Sequence, residues 1–97
     1  MTGTVVIALP LFSREAERIA TNLRAEYREY YPDIFAEVFP GARRIVAVMS
    51  MGIVMRRIAP LLRDKWNDPA VVVVSPDLAY AIPLVGGHHG AHALAQD

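Results

Sequence analysis

The chain has 97 residues, with ten basic and ten acidic side chains, and this zero net charge argues against a general nucleic-acid binder. Hydrophobic residues make up 54% of the sequence and charged residues 21%, which is typical of one globular domain, and the lack of cysteine excludes disulfides and thiolate chemistry. No apolar run approaches the roughly 20 residues of a membrane span, and no signal peptide is evident, so we expect a cytoplasmic protein without membrane contact.

The first 44 residues predict one strand and two helices that serve as scaffold. A β-rich run from Thr4 to Leu9 predicts a buried strand. Ser13 is a suitable N-cap for the helix that follows. Its apolar face would comprise Ala16, Ile19, Ala20, Leu23 and Tyr27. A two-turn helix is predicted from Ile34 to Phe39.

The segment from Met49 to Pro69 is predicted to organise the domain. A buried strand, Ile45 to Met49, leads to Ser50 and Gly52, where a helical pattern begins. Such a strand–turn–helix join presents helix N–H groups at the carboxyl end of a sheet, where α/β proteins bind ligands. The helix is predicted to end near Asp64 or Lys65.

One side of this helix is apolar and the other is basic. At about 100° per residue, the core side would hold Val54, Ile58, Leu61 and Leu62. Arg56 lies on the opposite side, and Pro60 predicts a kink because it lacks an N–H group.

Two further strands complete the predicted sheet. The run from Ala70 to Val74 does not alternate in polarity, which indicates a strand covered on both faces. Only a few residues separate it from the strand Tyr80 to Val85, so the two should form an antiparallel hairpin, with Pro83 at an edge. We therefore expect an α/β fold: a Rossmann-like three-layer αβα domain over residues 1–97, with a mixed, mainly parallel four-stranded sheet ending in an antiparallel hairpin.

The segment Gly86-Gly87-His88-His89-Gly90 has three interpretations. The histidines, with His92, would bind a metal, although no cysteine and no clear carboxylate accompanies them. Alternatively, they cap a helix. The interpretation that we favour is a loop that contacts a ligand, in which the glycines allow close backbone approach and the histidines act as acid or base. Arg43 and Arg44 lie at the end of the predicted sheet opposite to the expected ligand crevice. They are therefore interpreted as solvated residues at the start of the second strand.

The runs GIVMRRIAPLLRDKWNDPAVVVV and IPLVGGHHGAHALA resemble the N-terminal domain of the CbiG family, the cobalt-precorrin-5A hydrolases of anaerobic cobalamin biosynthesis. The resemblance covers about Ile45 to Ala95, and His92 stands where that family has asparagine. The family continues into a second domain, so we expect residues 1–97 to form one CbiG N-terminal-like domain without it. A separate second domain is an expected partner, and self-association is a further expectation.

The resemblance implies hydrolysis of a δ-lactone on ring A of cobalt-precorrin-5A, with release of acetaldehyde. His88 or His89 would be the acid or base, and Asp68 would orient a histidine or simply build the turn before Pro69. Backbone N–H groups of Gly52, Gly86, Gly87 and Gly90 would contact the substrate. No resident metal or cofactor is expected, since the substrate carries the cobalt.

Cations would hold the carboxylates of the macrocycle. For Arg56, substrate binding and a solvated position are equally favoured, and for Arg57 the solvated position is favoured. Lys65 is a further candidate that would otherwise pair with Asp64 or Asp68. The alternative function is a non-catalytic corrinoid-binding or docking module. A nucleotide-binding domain is disfavoured because the sequence contains no G-x-G-x-x-G or G-x-x-x-x-G-K-[ST] motif.

Overall fold

The computed structural model describes residues 3–64 and 66–86. Within these residues, five strands and three α-helices follow one another as β1, α1, β2, α2, β3, α3, β4 and β5, with short 3-10 helices at Pro10–Phe12 and Ala59–Leu61. The strands are β1 Thr4–Ala8, β2 Glu26–Glu29, β3 Arg44–Val48, β4 Ala70–Val74 and β5 Ala81–Val85. The helices are α1 Ser13–Leu23, α2 Ile34–Val38 and α3 Met51–Ile58.

The strands form one mixed sheet in the order β2-β1-β3-β4-β5. The first four strands are mutually parallel, and β5 pairs antiparallel with β4. Thr4, Arg44 and Ala70 stand in register where β1, β3 and β4 begin. The mainly parallel sheet and its terminal hairpin are as the sequence predicts, and Pro83 lies in an edge strand, where its missing N–H group costs least.

The core consists of two apolar clusters, one on each face of the sheet. Helices α2 and α3 cover the face with Ile45 and Val71, while α1 covers the face with Val46 and Val72. All five residues of β4 are buried, which confirms a strand covered on both faces. The result is a three-layer α/β arrangement.

The sheet has five strands, so the prediction of four is wrong. Helix α1 ends at Leu23, because Arg24 takes a left-handed conformation (φ 54°, ψ 43°) and the Ala25 N–H group donates to the Ala20 carbonyl. The chain then enters β2, and Tyr27 lies in this strand rather than on the helix face. Ser13 is predicted as the N-cap of α1, but it is the first residue of the helix, and Phe12 occupies the N-cap position.

The central helix is shorter than predicted. Helix α3 ends at Ile58, and a single 3-10 turn containing Pro60 follows it. Leu62 is already extended and 40% exposed, so its predicted place on the core side is wrong. Val54 and Ile58 are buried as predicted, and Leu61 packs against the same core cluster. The proline accounts for the early end, because it gives no N–H group to continue the helix.

Within the part of the chain that the structure describes, no helix has the length and apolar character needed to cross a bilayer.

Candidate functional site

The direction of the strands gives the sheet two distinct edges. We call the edge where β1, β3 and β4 end the carboxyl edge and the edge where they begin the amino edge. Strand β5 runs the other way: Ala81 pairs with Val74 at the carboxyl edge, and Val85 pairs with Val71 near the amino edge. Whatever follows β5 therefore starts from the amino edge.

The carboxyl edge carries the N-terminus of α3. Ser50 is its N-cap, with an extended backbone and no side-chain capping bond. Gly52 is exposed, and a β-carbon at this position would meet no atom within 4 Å. Packing therefore does not require a glycine here, and the first turn of α3 is open above Gly52.

Gly86 lies at the amino edge and is required there for steric reasons. Its φ is +85°, and a β-carbon would lie 2.5 Å from the Ala70 Cα atom. The close approach to the start of β4 fixes where the glycine–histidine loop begins. The antiparallel β5 therefore places Gly52 and Gly86, which are both predicted to contact the substrate, at opposite edges of the sheet.

The segment from Leu62 to Pro69 is held by its own carboxylates. Asp68 Oδ2 accepts hydrogen bonds from the backbone N–H groups of Arg63 (2.8 Å) and Asp64 (3.0 Å). Asp64 in turn accepts from the backbone N–H of Trp66 (2.8 Å) and from Asn67 Nδ2 (2.5 Å). The turn-building role considered for Asp68 is thus present in the structure.

Among the described residues, Asp68 and Gly86 are predicted site residues from distant parts of the chain that line one cavity. Both line a cavity of about 390 Å³ with Arg63 and Asp64. A carboxylate consequently lies beside the first residue of the glycine–histidine loop. Whether Asp68 also orients a histidine stays a prediction.

Arg56 and Arg57 lie on the exposed surface of α3. The Arg57 Nε group donates to the Tyr30 hydroxyl at 3.1 Å, and the Tyr30 ring packs against Phe35 with centroids 6.4 Å apart. Tyr30 follows β2 at the carboxyl edge, where its N–H donates to the Ala8 carbonyl. The Asp68–Gly86 cavity does not include either arginine among its lining residues. Substrate binding by Arg56 and Arg57 stays a prediction.

The amino edge also holds a cleft that the sequence interpretation missed. This amino-edge cleft has a volume of about 440 Å³ and is lined by residues 40–44 and 66–69, which include Arg43, Arg44, Trp66 and Asp68. The Arg43 carbonyl accepts from the Ala70 N–H (3.0 Å), which joins the residue before β3 to the start of β4. The sequence contained a signal for this edge, because the predicted antiparallel hairpin implies that the glycine–histidine loop starts from the amino edge.

Five predicted site residues lie outside the described residues: Lys65, Gly87, His88, His89 and Gly90. In residues 3–64 and 66–86, no group of three or more histidine, cysteine, aspartate or glutamate side chains is arranged to hold a metal ion. The metal interpretation of the histidines falls on the residues outside this part.

Residues 33–97 match the family model described as Cobalamin synthesis G N-terminal. The chain belongs to this family. The resemblance seen in the sequence is therefore confirmed for more than half of the chain, including β3, α3, β4, β5 and the glycine–histidine loop.

Two curated relatives of this family member are cobalt-precorrin-5A hydrolases. The chain is 30% identical over 89 residues to the protein from Salmonella typhimurium, and this match covers 91% of the chain and 25% of that protein. It is 37% identical over 57 residues to the protein from Priestia megaterium, and this match covers 59% of the chain and 15% of that protein. The chain thus spans a quarter or less of either relative.

A solved structure has the same fold. It is the crystal structure of a cobalamin biosynthesis protein G homologue from Sulfolobus solfataricus, with a TM-score of 0.78 and 28% sequence identity. The match covers 96% of the chain and 32% of that protein. The strand β2 that the sequence interpretation missed lies within a fold that this homologue shares.

Proposed function

We propose that this domain takes part in the opening of the ring A δ-lactone of cobalt-precorrin-5A. Water would add to the lactone carbonyl and the acyl C–O bond would break, leaving a carboxylic acid and an alcohol on a two-carbon fragment. Loss of the alcohol proton would then release that fragment as acetaldehyde, as its C–C bond to the macrocycle breaks and the macrocycle takes up the electron pair, to give cobalt-precorrin-5B. The observation that carries the proposal is the 30% identity to a cobalt-precorrin-5A hydrolase over 91% of the chain. The chain spans a quarter of that relative, so the other three quarters would complete the hydrolase, and the cobalt corrinoid would be the substrate.

The histidine loop would supply the acid and base chemistry. Activating water and protonating a leaving oxygen both need a group that titrates near neutral pH, and His88 and His89 provide two imidazoles. Backbone N–H groups of Gly86, Gly87 and Gly90 would stabilise negative charge on the oxygen of the lactone carbonyl. Asp68, which shares a cavity with Gly86, would orient one of the histidines.

The second candidate function is a non-catalytic module that binds the corrinoid or docks onto another domain of the pathway. This alternative places the residues that complete a catalytic site in the other three quarters of the relative. The two candidates differ in one product: only the first predicts that the chain releases acetaldehyde.

The test is acetaldehyde release from cobalt-precorrin-5A by the parent chain and by the variants His88→Ala, His89→Ala and His92→Ala. Loss of the general base should lower turnover by about a hundredfold or more in at least one of the first two variants. His92→Ala is the matched control, and a loss in all three variants would favour the metal interpretation. Unchanged turnover in both His88→Ala and His89→Ala removes these residues from the mechanism. Corrinoid binding without acetaldehyde release favours the module.

A further inference from the structure

We infer that the amino-edge cleft binds the carboxylate-bearing rim of a flat, conjugated macrocycle, and this inference rests on the proposed function. It assigns substrate binding to Arg43, Arg44 and Trp66, at the edge of the sheet opposite to the N-terminus of α3. The glycine–histidine loop starts from this same edge, since Gly86 packs against Ala70.

The first observation is an aromatic side chain in the wall of the cleft. Trp66 lines the cleft and is 58% exposed, although a tryptophan gains most from burial. The backbone of Trp66 is held in place, because its backbone N–H group donates to Asp64 Oδ1 at 2.8 Å. An exposed indole is a suitable surface for stacking against a conjugated ring.

The second observation is a pair of arginines, Arg43 and Arg44, that line the same cleft. Arg43 and Arg44 are exposed, and neither guanidinium has a hydrogen bond or an ion pair with any residue in ranges 3–64 and 66–86. The aliphatic stem of Arg43 packs over Gly3, where a β-carbon would lie 3.1 Å from Arg43 Cγ. Guanidinium groups bind carboxylates in a bidentate manner, so this pair of arginines suits acetate and propionate groups.

The third observation concerns the carboxylate in the cleft. Asp68 also lines it, but Asp68 Oδ2 already accepts two backbone hydrogen bonds from Arg63 and Asp64. The arginines therefore remain available to an external anion. A volume of about 440 Å³ lies within the usual range for small-molecule pockets and accommodates one rim of a corrinoid.

The test is equilibrium dialysis of the parent chain with cobyrinic acid, a cobalt corrinoid with free carboxylates, and with cobinamide, its amidated counterpart. The double variant R43Q/R44Q should raise the Kd for cobyrinic acid about tenfold or more, because two charge-assisted contacts are lost. The matched control R14Q/R18Q removes two exposed arginines from α1 and should leave the Kd within about twofold. Trp66→Leu should weaken binding of both corrinoids, since stacking does not depend on the carboxylates.

Three results would overturn the inference: no binding of cobyrinic acid by the parent chain at millimolar concentration, equal binding by the parent chain and R43Q/R44Q, or equal affinity for the two corrinoids. Urea unfolding of each variant verifies that it is folded. The proposed function is judged separately by acetaldehyde release. A parent chain that releases acetaldehyde, with the same kcat and KM in R43Q/R44Q, keeps the hydrolysis and removes the cleft from it. Corrinoid binding that depends on the two arginines, without acetaldehyde release, keeps the binding role of the cleft and rejects the hydrolysis.

Discussion

Gly86 and Ala70 are in such close contact that a β-carbon on Gly86 would lie 2.5 Å from the Ala70 Cα atom. The contact joins the end of β5 to the beginning of β4, and Gly86 has a φ of +85° that side chains rarely adopt. The first glycine of the glycine–histidine loop is therefore explained by packing, independently of any role in binding.

We expect Gly86→Ala to lower the free energy of unfolding by about 2–4 kcal/mol, because a left-handed alanine and a backbone clash each cost about 1–2 kcal/mol. Gly41→Ala is the control, since its β-carbon would meet nothing within 4 Å and its φ is not left-handed. It should change stability by less than about 0.5 kcal/mol. Urea unfolding followed by the fluorescence of Trp66, the single tryptophan, measures both variants. Equal stability of the two variants would contradict the steric explanation.

The position of this loop could have been derived from the sequence. The short connection after Val74 and the proline in the last strand predict an antiparallel edge strand, and the structure confirms it as β5. A reversed strand ends at the amino edge, so the loop after Val85 begins at the edge opposite to Gly52. The sequence interpretation combined this topology with the general rule for parallel sheets, in which ligands bind at the carboxyl edge, and it therefore grouped Gly52 with the loop.

The strand β2 could not have been derived in the same way. Helix α1 ends with a left-handed residue, and glycine is the usual signal of such an end. Here the position is occupied by Arg24, and the apolar spacing continues to Tyr27 as if the helix did too. The strand itself, EYRE, lies at an edge without a fully buried residue, so neither a buried run nor a clear alternation marks it.

Asp68 offers a test that separates a structural role from a catalytic one. Asp68→Ala should lower the free energy of unfolding by about 1–3 kcal/mol, since the N–H groups of Arg63 and Asp64 lose their acceptor. Asp68→Asn keeps an oxygen acceptor and should lose less than half of that amount. If the two substitutions cost the same, the backbone hydrogen bonds do not stabilise the loop. Acetaldehyde release by Asp68→Asn then measures catalysis, because orientation of a histidine requires the charge that asparagine lacks.

The turn between β4 and β5 contains a strained leucine. Leu78 has a φ of 62° and is 40% exposed, and its N–H donates to the Ser75 carbonyl at 2.8 Å. Leu78→Gly should raise the free energy of unfolding by about 0.5–1 kcal/mol, because relief of left-handed strain exceeds the entropy that glycine adds to the unfolded chain. Leu11→Gly is the control: Leu11 is 83% exposed and its φ is not positive, so only the entropic loss applies. Urea unfolding should therefore give opposite signs for the two variants, and the same sign in both would refute the strain.

The same turn predicts a dependence of stability on pH. Hydrogen bonds from the Ser75 hydroxyl (2.7 Å) and from the Ala79 N–H (3.0 Å) lower the pKa of Asp77 below its ordinary value of 3.8. A lowered pKa in the folded state means that the carboxylate stabilises the fold above the pKa of the unfolded chain, and that this contribution is lost as the pH falls through the folded value. Asp77→Asn should therefore be less stable than the parent at pH 7, and the difference should vanish once the pH falls below the lowered pKa.

Urea unfolding of the parent and of Asp77→Asn between pH 7 and pH 3 measures this difference. Asp33→Asn, which removes an exposed carboxylate that makes no side-chain capping bond, shows at pH 7 what the loss of one surface charge does by itself. If the difference in free energy of unfolding between the parent and Asp77→Asn stays constant down to pH 3, the contribution of Asp77 does not come from its ionisation. A difference that shrinks with falling pH assigns it to the charge-assisted hydrogen bonds that close the hairpin and so hold β5 antiparallel.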